Sequence, residues 1–328
     1  MAKPLPECSP RRFLFVVVPE FSMMPYTAAI EALRAANRES GADLYHWQTA
    51  TIDGDVVAAS NRTRIAPDCA LAEAQAADVI VVCSGLNAER HGSPALFAAL
   101  RRAARMGAML GSVCTGTVLL ARAGLLEGYR CTIHWEDVAS FAENFPALHV
   151  TTRLFEIDRD RFTCSGGTAP LDLMLHFIER DYGHDLALEV AELMLHHGMR
   201  VSEEPQRLSL RERTGLAHAK LLDALARMET AIETPEPIEA IAAAAGLSPR
   251  QFERLFHDHL ATTPSRHYLH LRLKRARHLL QHTSAPIMQV ALSTGFASAA
   301  HFAKCYREAF GHPPRVERRS DKVEGVKA

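Results

Sequence analysis

Residues 244–256 have the sequence AAGLSPRQFERLF. Gly246-Leu247-Ser248 predicts a turn, and Ser248 with Gln251 three residues later predicts a capping box that opens a second helix with Pro249 at its first position. That helix, residues 249–259, would bury three side chains (Phe252, Leu255 and Phe256) and expose five (Arg250, Gln251, Glu253, Arg254 and His257). Two short helices around such a turn are typical of a helix-turn-helix motif, although an ordinary helical hairpin gives the same local pattern.

A second copy of the pattern follows in residues 286–310. A short helix is predicted over 286–294, a turn over 295–297, and a helix over 298–310 with Phe302, Tyr306 and Phe310 on its inner face. Its outer face would present Ser298, Ala299, His301, Lys304 and Arg307. A long amphipathic helix, residues 264–281, joins the two copies and carries Arg272, Lys274, Arg275 and Arg277. The repetition favours a paired DNA-binding motif over two unrelated hairpins.

Charge is distributed unevenly along the 328 residues, whose formal net charge is -1. From residue 238 to the end there are 14 Lys and Arg against 7 Asp and Glu, which leaves +7 on this part and -8 on the rest. A basic module on an acidic body is the charge pattern of a nucleic-acid-binding domain attached to another domain. A solvated basic face would give the same count.

The C-terminal third resembles the DNA-binding domain of AraC/XylS-type transcription regulators over about 90 residues. The matching positions are Ala244, Ala245, 246–248 (GLS), 250–256 (RQFERLF), Pro264, Tyr268, 272–280 (R-L-x-x-A-x-x-L-L), Ile287, Val290, Ala291, 295–296 (GF), Ser298, His301, Phe302, Tyr306, Arg307, Phe310, Gly311 and Pro314. The resemblance implies two recognition helices in successive major-groove segments about 34 Å apart.

Candidate DNA-binding residues lie on the outer faces of these two helices. Arg and Lys usually contact guanine, and Gln contacts adenine. The candidates are Arg250, Gln251 and Arg254 in the first helix and Ser298, His301, Lys304 and Arg307 in the second. Each could instead be a solvated surface residue or a phosphate contact.

Residues 13–200 alternate short apolar runs with helical stretches. Buried strands are predicted at 13–18 (FLFVVV), 79–83 (VIVVC) and 108–113, helices at 26–37, 94–105 and 115–123, a late hairpin at 150–165 and a closing helix at 170–182. This alternation is typical of a parallel sheet covered on both faces. We therefore expect an α/β, flavodoxin-like domain over residues 1–200, a charged linker over 201–218, and an all-α double helix-turn-helix domain over 219–328.

Cys114 lies in the run GSVCTG (111–116), between a predicted strand and a predicted helix. The helix N-terminus would favour its thiolate and lower the thiol pKa. Residues 113–126, His134-Trp135, Pro19, Phe21, 31–37 (EALRAAN) and 165–172 (SGGTAPLD) resemble the PfpI-like branch of the class I glutamine amidotransferase-like fold. They resemble most the version fused to AraC-type domains in the GlxA-like regulators.

A cysteine hydrolase needs a base beside its nucleophile. The peptidase-like members place His directly after the cysteine, where this chain has Thr115, and Pro25 stands where a carboxylate is expected. His134 could approach Cys114, or it could be a structural residue beside Trp135. We expect a non-enzymatic domain that keeps the cysteine as a pocket wall; the alternative is a cysteine-dependent amidase or hydrolase with an appended DNA-targeting domain.

Ligands of open parallel sheets bind beyond the carboxyl ends of the strands. The loops expected there carry Glu20, Phe21, Ser22, Met23, Ser84, Gly85, Cys114 and Thr115, with His134 and Trp135 at the side. An aromatic ring near an acid suits an ammonium ligand, although Phe21 and Met23 could equally be core residues. The resemblance also favours a small amine, quaternary amine or amino-acid-derived effector.

The cysteine spacing and the length of the apolar runs limit the classes of protein to which this chain can belong. Seven cysteines (8, 69, 83, 114, 131, 164 and 305) form no CxxC pair, and no apolar run is long enough to cross a bilayer. We expect a cytoplasmic homodimer that binds promoter or operator DNA and a small effector and contacts RNA polymerase, with no cofactor, no metal and no membrane. The effector, the operator and the choice between activation and repression are not determined by the sequence.

Overall fold

The computed structural model describes residues 9–283 and 285–320, so Cys8 lies outside the described residues. The chain divides between residues 206 and 207 into two compact units, here called the N-terminal and the C-terminal unit. Among the described residues, no helix combines the length and the apolar character that a bilayer span requires.

Strands and helices alternate through the N-terminal unit. The strands are β1 (Arg11–Val17), β2 (Tyr45–Thr51), β3 (Val57–Ala58), β4 (Arg64–Ile65), β5 (Cys69–Ala70), β6 (Val79–Cys83), β7 (Met109–Val113), β8 (Arg130–Thr132), β9 (His149–Thr151), β10 (Phe155–Asp158) and β11 (Arg161–Cys164). The helices are α1 (Met23–Ser40), α2 (Pro94–Arg105), α3 (Gly116–Arg122), α4 (Val138–Asn144), α5 (Ala169–Tyr182) and α6 (His184–Leu193), with a short 3-10 helix at Ala88–Arg90.

Seven strands form the central sheet in the order β10-β11-β7-β6-β1-β2-β5. Every neighbouring pair is parallel except β10 and β11, which form the predicted hairpin. Alternate residues of β1 enter two separate cores: Phe13 and Phe15 pack with α1 and α5, and Leu14 and Val16 pack with α2 and α3. Both faces of the sheet are therefore covered, which confirms the predicted α/β class.

Several elements differ from the predictions. Helix α1 begins at Met23 rather than at residue 26 and ends at Gly41, whose φ of 65° suits a left-handed C-cap. Strand β2 (YHWQTAT) was missed because its mixed polar and apolar residues give no continuous buried run. Within the stretch predicted as a linker, helix α7 (Leu210–Thr214) forms behind a capping box that Ser209 makes with Glu212.

The C-terminal unit consists of helices in the part that the structure describes. After α7 come α8 (Ala219–Thr230), α9 (Ile238–Ala244), α10 (Pro249–Leu260), α11 (Pro264–His282), α12 (Ile287–Ser293), α13 (Ala299–Phe310) and α14 (Pro314–Ser320). The predicted capping box of Ser248 and Gln251 opens α10, with Pro249 at its start. Helices α9 and α10 form the first helix-turn-helix motif, α12 and α13 form the second, and α11 joins them, which confirms the predicted all-α class.

Candidate functional site

Cys114 occupies a sharp turn between β7 and α3. Its φ of 57° lies in the left-handed region, and its backbone N–H donates to the carbonyl oxygen of Cys164 over 3.0 Å. The next residue but one must be glycine, because a Cβ on Gly116 would lie 2.2 Å from the carbonyl oxygen of Val82. Close packing of three strand ends therefore produces the predicted cysteine elbow.

The loops after β1, β6 and β7 meet around Gly85, as predicted. The backbone N–H of Ser22 donates to Ser84 O over 3.3 Å, and the Thr115 hydroxyl donates to Gly85 O over 2.5 Å. A Cβ on Gly85 would lie 2.3 Å from the carbonyl oxygen of Glu20, so glycine allows the loops to approach this closely. Ser22 precedes α1 as its N-cap residue without a side-chain capping hydrogen bond.

Glu20 is held in a defined position beside this junction. Its Oε2 accepts hydrogen bonds from Asn87 Nδ2 over 3.0 Å and pairs with His91 Nε2 over 2.9 Å. The backbone of Glu20 has a φ of 61°, a conformation uncommon for a residue with a Cβ. Its side chain remains 38% exposed. Sequence reasoning missed Asn87 and His91 because no local pattern links them to Glu20.

The predicted low pKa of Cys114 is wrong. Burial raises the pKa of the Cys114 thiol to about 12, the carboxylates of Asp137 and Glu136 act in the same direction, and hydrogen bonds from Thr115 oppose them only in part. Helix α3 has just seven residues, so the favourable field at its N-terminus is smaller than the cost of moving a thiolate out of water. The thiol is protonated at neutral pH, which disfavours the hydrolase alternative.

We expect Cys114 in the native chain to be alkylated by iodoacetamide at pH 8 at least about 100-fold more slowly than in the urea-unfolded chain, since an unperturbed thiol has a pKa near 8.5. Mass spectrometry of the Cys114 peptide gives both rates. Hindered access alone would leave the rate levelling off above pH 8.5, whereas a raised pKa keeps it rising about tenfold per pH unit. Native labelling as fast as in the unfolded chain would contradict the assignment.

Phe21, the aromatic ring predicted to contact a ligand, is buried in the core. Phe21 is 0% exposed and its ring packs edge-on against Tyr26 with centroids 5.3 Å apart, because the chain turns it into the core beneath the sheet edge. Met23 also packs against that core. Trp135, by contrast, is 39% exposed and lies 5.6 Å from the ring of His134. Trp135 is therefore the more exposed aromatic residue of the two.

Two further polar groups belong to the same region. Ser84 is 1% exposed, and its hydroxyl has no hydrogen-bond partner among the described residues. His134 Nδ1 lies 3.7 Å from Glu136 Oε2. A Cβ placed on Gly166 would lie 3.1 Å from the Cβ of Cys114, and Gly166 has a φ of 108°. The turn at Gly166 thus forms part of the elbow site.

The segment 196–206, here called the connecting segment, ends the N-terminal unit and is bound to the rest of that unit at two places. At the first, the buried carboxylate of Asp172 pairs with His196 Nε2 over 2.7 Å and accepts from Arg200 N over 2.9 Å and Arg200 Nη2 over 2.6 Å. Asp172 lies in the first turn of α5, a few residues after Gly166. His196 is thus fixed by a tertiary contact.

At the second place, the connecting segment lies beside the strands that lead to His134. The N–H of Leu154 donates to Ser202 O over 2.9 Å. The side-chain amide of Gln206 donates to Ile133 O over 3.0 Å and to Arg153 O over 2.8 Å. Both attachment points therefore adjoin loops that carry elbow-site residues.

The candidate DNA-binding residues of α10 are exposed. Arg250 and Arg254 extend from its outer face. Gln251 is exposed as well, but its Oε1 accepts hydrogen bonds from Ser248 N and Ser248 Oγ, both over 2.9 Å. Only the NH₂ end of Gln251 is then left for a base, so a bidentate contact with adenine would break the capping box.

In α13, His301, Lys304 and Arg307 are exposed. Ser298 precedes the helix, and its hydroxyl accepts from the N–H of His301 over 3.3 Å. The hydroxyl of Ser298 is thus an N-cap, which ties it to the helix end. The ring of His301 lies 5.7 Å from that of Phe296, a contact that orients it at the start of the helix. No group of three or more His, Cys, Asp or Glu positioned to hold a metal ion occurs within residues 9–283 and 285–320.

Comparison with known proteins gives the same two-part organisation. A family model described as DJ-1/PfpI family matches residues 11–180, and one described as helix-turn-helix domain matches residues 241–320. The HTH-type transcriptional regulator GbdR of Pseudomonas aeruginosa is 44% identical over 94% of this chain and 84% of its own length. The HTH-type transcriptional regulator GlxA of Rhizobium meliloti is 37% identical over 94% of this chain and 96% of its own.

A solved structure also matches. The crystal structure of an AraC family transcriptional regulator from Pseudomonas putida is 34% identical, with a TM-score of 0.52, over 56% of this chain and 100% of that chain.

Proposed function

The chain belongs to the HTH-type transcriptional regulators that join a DJ-1/PfpI family domain to an AraC-type helix-turn-helix domain, and from this we propose that its N-terminal unit is a sensor for a small cationic metabolite. It is a DNA-binding regulator of transcription rather than an enzyme. Within the C-terminal unit, we propose that α10 and α13 both contact base edges, with the residues assigned above.

The observation that carries the sensor proposal is the charge around the elbow. The backbone of Glu20 lies against Gly85 and its carboxylate is held by Asn87 and His91, while the carboxylates of Asp137 and Glu136 raise the pKa of the Cys114 thiol. Ser84, at the same loop junction, is buried, and its hydroxyl has no hydrogen-bond partner among the described residues. Such a site attracts a cation and leaves a polar group for the ligand to satisfy.

Trp135 gives the proposed pocket an aromatic surface. An ammonium group over an indole ring gains about 0.5–2 kcal/mol, and more when it is desolvated. Primary and quaternary amines are therefore the ligand classes that we propose, together with amino acids whose side chain is cationic.

Response to the ligand requires a connection to the DNA-binding unit. The connecting segment supplies the covalent one, and its two attachments adjoin Gly166 and His134. We propose that a ligand in the elbow site changes how firmly this segment is held. We also propose a cytoplasmic homodimer that contacts RNA polymerase, with the exposed Met24 and Leu188 of the N-terminal unit available for self-association.

Glu20→Gln should weaken binding of the cationic effector about 10- to 100-fold, because it removes the charge and keeps the shape. A thermal-shift screen of ammonium, neutral and carboxylate metabolites on the full chain identifies the ligand, and calorimetry then gives the dissociation constants. Glu189→Gln, an exposed change on α6, is the control. A screen that selects anions, or equal affinities in both variants, would reject the assignment.

A further inference from the structure

The two helix-turn-helix motifs touch at the turn of the second one. Gly295, between α12 and α13, has a φ of +76°, and a Cβ placed on it would lie 2.4 Å from Pro235 Cγ and 2.8 Å from Ile232 O. Pro235 lies just before α9, the first helix of the first motif. The turn of one motif is therefore packed directly against the entry to the other, with no space for a side chain.

Arg272 holds the same turn from α11. Its Nε donates to Thr294 O over 2.8 Å and its Nη2 to Gly295 O over 2.6 Å, and its guanidinium lies 4.2 Å from the centroid of the Phe296 ring. Arg272 lies on the connecting helix, as predicted, and the fold places its guanidinium on two backbone carbonyls.

Tyr268, one turn earlier on α11, contacts the segment that enters the first motif. Its hydroxyl donates to Ala231 O over 2.6 Å, in the segment that leads to Pro235. We call Pro235, Tyr268, Arg272 and residues 294–296 the central contact. One helix thus binds both the entry to the first motif and the turn of the second.

Among the described residues, the two motifs have separate hydrophobic cores. The first motif packs around Phe252, Phe256 and Tyr268, and the second packs around a separate core that contains Phe302 and Tyr306. The two cores share no residue. Helix α11 also connects the two cores, since it contributes Tyr268 to the first and Leu273 to the second, but long helices are rarely straight.

We propose that the central contact fixes the distance and rotation between α10 and α13 and so sets the spacing of the two DNA segments that the protein accepts. The inference rests on the proposed function, in which both helices contact bases. One added base pair moves a segment by about 3.4 Å and turns it by about 35°. A rigid pair of helices cannot follow such a change, whereas a loosened pair can.

Gly246 provides a matched control for Gly295. Gly246 is the turn glycine of the first motif, has a φ of +62°, and a Cβ there would meet only Lys220 Nζ at 3.5 Å. Gly246→Ala and Gly295→Ala therefore share the cost of a left-handed alanine. Only Gly295→Ala also pushes against Pro235.

The test uses the full-length protein and DNA selected from a random library, so that no operator has to be known. Wild type should select two base blocks at one spacing and lose at least about tenfold in affinity when one base pair is added or removed. Gly246→Ala should keep that spacing penalty, even if its affinity is lower throughout. Gly295→Ala and Arg272→Ala should reduce the penalty to less than about threefold or shift the preferred spacing.

Circular dichroism checks that each variant is folded, and Arg272→Lys and Pro235→Ala replace any variant that is not. Two selected blocks with the wild-type spacing penalty in every folded variant would overturn the inference while leaving the proposed function intact. Selection of a single block, or of none, by the wild type would instead overturn the proposed double contact, and with it this inference.

Discussion

Asp172→Ala is expected to lower the free energy of unfolding of the N-terminal unit by about 3 kcal/mol. The carboxylate is 0% exposed and pairs with His196 and Arg200, and removing one partner of a buried ion pair typically costs about 3–5 kcal/mol. We expect the lower end of this range because the Arg200 side chain is 34% exposed, so water still solvates part of its charge when the carboxylate is removed.

Urea titration of the full chain followed by tryptophan fluorescence measures this effect. Both tryptophans, Trp47 and Trp135, lie in the N-terminal unit, so the signal reports on that unit alone. Asp185→Ala is the control, since Asp185 is also in the first turn of a helix but is exposed. Its loss should stay below about 1 kcal/mol. Equal losses in the two variants would show that the Asp172 cluster does not stabilise the unit.

Asp172→Ala also tests the sensor proposal. Asp172 anchors the connecting segment through Arg200, so releasing it should weaken the dependence of DNA binding on effector even where the unit remains folded. The conservative Asp172→Asn keeps hydrogen-bond acceptance at one oxygen and should have an intermediate effect.

Arg250→Ala is expected to weaken binding to the selected DNA sequence about 10- to 100-fold, which corresponds to about 1–3 kcal/mol. The loss should be confined to specific DNA, with one base position relaxed, because a guanidinium that contacts guanine carries sequence information. Fluorescence anisotropy with specific and scrambled duplexes at fixed salt measures the difference.

Lys274→Ala provides the comparison for Arg250. Lys274 is exposed on α11, and a phosphate contact there should weaken binding to both duplexes alike and reduce the salt dependence by about one charge. Wild-type affinity of the Arg250 variant for the specific duplex would remove Arg250 from the base-contacting set.

Much of the architecture follows from short stretches of sequence. The cap formed by Ser248 and Gln251, the turn glycines and the buried phenylalanines of α10 lie within about a dozen residues, so helical periodicity and backbone sterics determine the first motif locally. The strands 13–18 and 79–83 were predicted because strands buried on both faces are continuously apolar. Strand β2 escaped prediction because its mixed polar and apolar residues give no continuous apolar run.

The candidate sites were predictable only as far as their chemistry is local. The elbow at Cys114 was evident from the sequence, since the turn from a strand into a helix needs glycines at set positions. The pKa of its thiol was not, because burial and the carboxylates of Asp137 and Glu136 depend on how distant segments pack. The burial of Phe21 was not predictable for the same reason: the sequence specifies two aromatic rings at the site, and packing decides that Trp135 rather than Phe21 is exposed.

Tertiary structure alone decided which polar residues act together. Asn87 and His91 reach Glu20 and Gly166 reaches Cys114 across long separations in the chain, where no periodicity connects them. Arg272 lies along α11 with Lys274, Arg275 and Arg277, and no sequence pattern indicates that its guanidinium donates to two carbonyl oxygens in the turn of the second motif. Local sequence sets backbone conformation and which faces are apolar, but the partner of a charged group is determined by what the completed fold places within hydrogen-bond distance of it.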